Sequence, residues 1–133
     1  MKNAKKILQE SNLRPTSQRI AILDYILGKH KVHLTAAKLM SHLKNKNINI
    51  SLATVYNNLN ELADKGMLRK FYVNNDKMWF DSNLQDHYHF YDSDRDELID
   101  IDKKEISFSK FPKVPSGKIK DSINIIINLK NKN

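Results

Sequence analysis

The sequence predicts an α+β fold, with a helical N-terminal part that ends in a β-hairpin and a smaller, strand-rich C-terminal part. Three observations carry this expectation. Apolar residues recur at helical spacing as far as Ala63. Beyond Gly66, β-rich runs separated by turn residues replace them. The charge also reverses: residues 1–50 hold ten Lys/Arg against two Asp/Glu, and residues 81–100 hold one against seven.

A chain of 133 residues suits one compact domain or two very small ones, and in the second case dimerisation helps to complete a core. A net charge of +8, concentrated in the N-terminal half, suits a phosphate backbone, which the acidic central segment does not. The bland alternative is a compositional bias toward lysine and asparagine that keeps the protein soluble. The chain contains no cysteine, which excludes thiolate zinc sites, disulfides and thiol catalysis, so any metal must use histidine and oxygen ligands. No run is long and apolar enough to cross a bilayer and no signal segment opens the chain, so a cytoplasmic protein without membrane contact is expected.

Lys2 to Ser11 form the first helical segment, with Ala4, Ile7 and Leu8 on one side. Asn12 to Pro15 interrupt it, because the residue before proline avoids the helical region. Thr16 or Ser17 caps a second helix whose stripe is Ile20, Leu23, Ile26 and Leu27, and which stops at Gly28. Arg14 and Arg19 flank its start, where backbone N–H groups also favour a phosphate. A loop over 29–34 carries His30 and His33. Thr35 caps a third helix with Ala36, Leu39, Met40 and Leu43 inward.

Ser51 is the N-cap of a fourth helix, SLATVYNNLNELADKG, which Gly66 ends. Leu52, Val55, Leu59, Leu62 and Ala63 make its buried stripe, while Thr54, Asn57, Asn60 and Asp64 fall on other faces. Hydroxyl, phenol and amide groups from Ser51, Thr54, Tyr56 and Asn57 sit early in this helix, where the second helix of a helix-turn-helix meets base edges. An ordinary amphipathic core helix gives the same pattern. Met67 to Val73 and Lys77 to Asp81, joined by Asn74, Asn75 and Asp76, form a hairpin beside it. Residues 1–80 therefore read as a winged helix-turn-helix domain.

Residues 81–86 are a polar hinge, and 87–133 form a small α/β dimerisation and ligand-sensing domain. His87 to Asp92 and Leu98 to Ile101 form a second hairpin, residues 102–117 are mostly irregular, and Ile123, Ile125, Ile127 and Leu129 line one face of a last strand. A strand so apolar needs cover, which the partner in a symmetric dimer supplies. His87 and His89 have period-two spacing, so both imidazoles share a face that Asp100 reaches from the neighbouring strand, with Asp81 entering from the hinge. Imidazole and carboxylate suit Fe(II), Mn(II) or Zn(II). His-x-His is a short motif that also arises without a site. No nucleophile elbow, phosphate loop or HExxH pattern occurs, and an enzyme is not expected; a metal-dependent hydrolase is the remote alternative.

The runs LRPTSQR (13–19), HLTAAKL (33–39), SLATVYNNL (51–59) and the histidine hairpin (86–100) together resemble the ferric uptake regulator (Fur) superfamily. VYNNL, WFDSN, DHYHF and the tail FPKVPSGKIKDSINIIINLKNK are most similar to its iron response regulator (Irr) branch. The resemblance implies a homodimeric transcriptional regulator of iron and haem homeostasis genes that binds AT-rich palindromic double-stranded DNA in response to metal or haem. It implies that Tyr56 contacts thymines, that Arg14 lies near the minor groove, and that Arg19 and Asn57 face phosphates. It implies a metal site of His33, Asp81, His89 and Asp100, a haem motif at His87, Tyr88 and His89, and a haem-delivering or haem-synthesising enzyme as partner. Asn57 stands where the superfamily usually has arginine, and Tyr88 where the Irr branch commonly has histidine. The alternatives are a Fe-, Mn- or Zn-responsive Fur-type repressor without haem sensing, and a non-specific architectural DNA binder.

Overall fold

Four hydrogen-bonded N-caps start the four α-helices found among the described residues, 3–29, 31–74 and 77–133 of a computed structural model. The side chain of Asn3 caps α1 (Ala4–Glu10), Thr16 caps α2 (Ser17–Leu27), Thr35 caps α3 (Ala36–Asn45) and Ser51 caps α4 (Leu52–Asp64). Each accepts the backbone N–H three residues on, pairing one of the donors that a helix start leaves open. Three of the helices end alike. Asn12 (φ 59°), Asn47 (φ 62°) and Gly66 (φ 78°) take the left-handed conformation, and the next amide reaches back to Leu8, Leu43 or Leu62 (2.8, 2.9 and 2.9 Å). This closure pairs carbonyls that the last turn leaves open, and it uses the residue types that tolerate positive φ.

The chain divides into two compact units, residues 1–84 and 85–133, so residues 81–84, expected in the hinge, fall in the first. In the first unit β1 (His33–Leu34), β3 (Lys77–Asp81) and β2 (Arg69–Val73) form an antiparallel sheet in the order β1-β3-β2. The β2–β3 hairpin is the expected wing; Asn75 and Asp76 of its turn, like His30, lie outside the described residues. The core brings together Leu8, Ile22, Leu39, Val55, Leu59 and Phe80 from all four helices and the wing.

Three expectations for this unit are corrected. Leu27 and Leu52 are 45% and 48% exposed and leave the stripes assigned to them, because each sits in a terminal turn that the core does not cover. The α2 core instead uses Ile22 beside Leu23 and Ile26. His33 lies on a strand and not in a loop: Val32 and Ser82 exchange hydrogen bonds, Val32 N–H to Ser82 Oγ and Ser82 N–H to the Val32 carbonyl, so the short strand continues an existing ladder.

The second unit is a sheet in the order β5-β4-β6, with β4 (His87–Asp92) central. β5 (Glu97–Asp102) is antiparallel to it and β6 (Ile126–Leu129) parallel, and a 3-10 turn follows at Lys103–Glu105. Residues 106–125 contain no helix or strand, as their prolines and glycine imply. Tyr88, Leu98 and Ile101 are buried. The last strand is shorter than expected and Ile127 is 40% exposed, so the Ile123–Leu129 face is not buried within this unit.

Candidate metal and nucleic-acid sites

Register places the first pair of donors. His33 opposes Asp81 across the β1–β3 ladder, with His33 Nε2 3.4 Å from Asp81 Oδ2. Asp81 is fully buried, and its other oxygen accepts the Asn83 N–H at 2.8 Å in an Asx turn that fixes the carboxylate. A carboxylate so desolvated needs a positive or hydrogen-bonding partner on each oxygen.

In the second unit the pleat puts His87 and His89 on one face of β4, and the register His89↔Asp100 delivers a carboxylate to that face. His87 Nε2 lies 3.2 Å and His89 Nε2 3.5 Å from the same atom, Asp100 Oδ1, and ligand atoms of the three residues lie within 4.8 Å of one another. The imidazoles meet edge to face with centroids 4.5 Å apart. His87 Nδ1 is bonded to the Gln85 carbonyl at 2.5 Å. A carbonyl only accepts, so Nδ1 carries the proton there, and in a neutral ring Nε2 is left with a lone pair. That lone pair then faces a carboxylate oxygen. Such an arrangement calls for a positive centre among the three donors, either a second proton on a ring or a metal ion. Neutral imidazole plus carboxylate, without thiolate, is the donor set of Fe(II), Mn(II) or Zn(II), and the residues present fit such an ion.

His87 thus stands with His89 and Asp100 in one group of possible donors, as its strand spacing predicts, although the family likeness implies it only for haem. The His-x-His spacing was the available signal. Tyr88, between the two histidines, is buried, and the pleat turns it to the other face of β4.

At the start of α4, Ser51 Oγ accepts the Thr54 N–H at 3.1 Å and donates to Thr54 Oγ1 at 2.8 Å, so both hydroxyls serve the helix start. Tyr56 is half-buried, its ring edge-to-face with Phe80 at 6.1 Å. Leu52, Ala53 and Asn57 are exposed, which gives the first turns of α4 an uncharged outward face. Lys70 on the wing donates to Asn60 Oδ1 at 3.2 Å. Arg14 is exposed, whereas Arg19 is half-buried and ion-paired with Glu61 at 2.8 Å. No helix among the described residues is long and apolar enough to cross a membrane.

Residues 10–120 match the profile of the Ferric uptake regulator family. The chain is 34% identical over 101 residues to the peroxide operon regulator of Bacillus subtilis, a match spanning 76% of this chain and 69% of that protein. It is also 34% identical over 94 residues to the peroxide-responsive repressor PerR of Staphylococcus epidermidis, spanning 71% of this chain but less than two thirds, 62%, of that one. In structure it is similar to the ferric uptake regulator of Vibrio cholerae, with a TM-score of 0.71 at 21% identity over 95% of this chain and 98% of that chain, a likeness of fold. With the profile covering most of its length, the chain belongs to the ferric uptake regulator family, whose members are transcriptional regulators and not enzymes.

Proposed function

We propose that the protein is a cytoplasmic, homodimeric repressor that binds an AT-rich palindromic operator and responds to a divalent metal. Fe(II), Mn(II) or Zn(II) is taken by His33, Asp81, His89 and Asp100, the donors the family likeness implies, with His87 added. The observation that carries the metal reading is the convergence of His87 Nε2 and His89 Nε2 on Asp100 Oδ1. When bound, the ion supplies the positive centre these donors call for and, if ferrous, a reductant for peroxide. His87 is held in one tautomer by Gln85, and Asp81 is held by Asn83, so these donors are oriented before an ion arrives. The names of the relatives, a peroxide operon regulator and a peroxide-responsive repressor, make peroxide the second signal of this proposal.

For DNA, the support is an uncharged outward face at the start of α4 within the basic half of the chain. Tyr56 offers an apolar edge to thymine methyls and Asn57 an amide. Arg14, Ser51 and Thr54 hold positions that suit backbone contact. For the dimer, the support is apolar surface in the second unit: Ile99, Phe108, Phe111, Ile119 and Ile127 are 40% or more exposed. A second copy packed on them gives the unit the core it lacks.

The test uses metal-free protein titrated separately with Mn(II), Fe(II), Zn(II) and haem, with operator binding measured in each case. Saturable metal binding should change operator affinity by roughly 5- to 150-fold, a coupling of about 1–3 kcal/mol. The proposal fails if His33→Ala with His89→Ala leaves metal binding and metal-dependent affinity unchanged. A haem absorption band that is lost in a His87/His89 double variant selects instead the haem-responsive reading that the Irr likeness supports, with its haem-supplying enzyme partner.

A further inference from the structure

We propose that Arg19 is a positioning residue that brackets the segment carrying Arg14 to α4, and not a phosphate contact. The inference rests on the reading of α4 as the DNA-contacting helix. Arg19 is the third residue of α2. Its Nη2 donates to Glu61 Oε2 in the third turn of α4 at 2.8 Å, and its Nη1 donates to the Arg14 carbonyl at 3.1 Å. One planar guanidinium therefore ties together two segments that each carry an expected DNA-contacting side chain, Arg14 and Tyr56. The fork geometry suits this task, because two of its donors are held at a fixed angle. Arg19 and Glu61 line a small cavity together with Leu8, Leu13, Ile22, Asn58 and Leu62. The Arg14 carbonyl also accepts the Thr16 N–H at 2.8 Å, so the bracket acts on the backbone turn that aims Arg14.

The two roles predict opposite signs for loss of the carboxylate. If Arg19 binds a phosphate, Glu61 competes with the DNA for its guanidinium, and Glu61→Gln strengthens binding. If Arg19 is a bracket, Glu61→Gln loosens α4 from the Arg14 segment and weakens binding, as Arg19→Gln does.

The experiment compares wild type, Arg19→Gln, Arg19→Lys and Glu61→Gln as full chains. Binding is measured over a salt series with Mn(II) present, on an AT-rich duplex that the wild-type protein has selected from a random pool. Arg19→Gln and Glu61→Gln are each expected to lose roughly tenfold in affinity with the salt dependence unchanged. Arg19→Lys, which keeps the Glu61 pair, recovers part of the loss. In DNA-free protein, hydrogen exchange at the Thr16 amide quickens in Arg19→Gln. Glu61→Gln binding as tightly as wild type, or a salt slope reduced by about one in Arg19→Gln, overturns the inference. Unchanged Thr16 exchange overturns the bracket alone, whereas a wild-type protein with no sequence preference overturns it together with the regulator reading. Should Arg19→Gln fail to fold, the sign of the Glu61→Gln effect still decides.

Discussion

His87 Nε2 stands 3.2 Å from Asp100 Oδ1, while its Nδ1 is held by the Gln85 carbonyl. The Nε2 lone pair is therefore aimed at the carboxylate, the orientation of a ligand to a metal held between them. Removing the histidine should cost at least the roughly 10- to 100-fold that loss of a merely supporting partner costs a metal site. Isothermal titration of Mn(II) into His87→Ala checks this, and affinity equal to wild type removes His87 from the site.

Tyr56 packs edge to face on Phe80 and is also the side chain expected to meet thymine. Tyr56→Phe should keep the stacking and the apolar contact, and so retain most operator affinity. Tyr56→Ala should lose both, lowering the thermal midpoint together with DNA affinity. A Tyr56→Ala protein that binds its operator as tightly as wild type ends the assignment of α4 as the reading helix.

Leu52 and Leu59 occupy the same helix with opposite fates. Leu59 is fully buried and Leu52 is 48% exposed. Leu59→Ala should cost about 2–5 kcal/mol and Leu52→Ala no more than about 0.5 kcal/mol in urea unfolding. Equal losses would return Leu52 to the core stripe.

The two ends of α4 can be tested separately. Ser51→Ala removes the acceptor for the Thr54 N–H and should cost about 1 kcal/mol. Gly66→Ala meets no steric obstacle within 4 Å, yet it must hold φ at +78° and should cost about 1 kcal/mol through backbone strain. A neutral Gly66→Ala would show that the chain relaxes at that turn.

His42 packs against Tyr25 with ring centroids 4.2 Å apart and ring planes tilted by 52°, and its Nε2 is shielded from solvent without a hydrogen bond. Desolvation, and then the charges of Lys46 and Lys29, hold its pKa below the usual 6.5. The folded state thus disfavours the protonated ring, and the unfolded chain binds more protons between the two values. The contribution of His42 to stability is therefore fully present above about pH 6.5 and declines as pH falls through the lowered folded value. In denaturant titrations at stepped pH, His42→Gln should lose less stability on acidification than wild type. Parallel curves would remove His42 as a source of acid sensitivity.

Much of the fold was legible because it is written locally. Thr16, Thr35 and Ser51 announce helix starts through hydroxyls, Gly66 announces a stop, and the His87/His89 alternation announces a shared strand face. Local chemistry of this kind depends on residues three or four apart, which a reader of the sequence sees together.

What the sequence alone determined was the order of elements, the basic and acidic halves, and the imidazole and carboxylate character of any metal site. What the tertiary structure decided was pairing across distance. Nothing near His33 marks it as a strand residue opposite Asp81; the ladder register does so across nearly fifty residues. Nothing near Arg19 predicts Glu61, because their contact exists only once α2 and α4 pack. Leu52 looks like a core residue by spacing and is not one, because the helix begins before it reaches the core. Periodicity names the face of an element, but only packing says where along its length that face is covered.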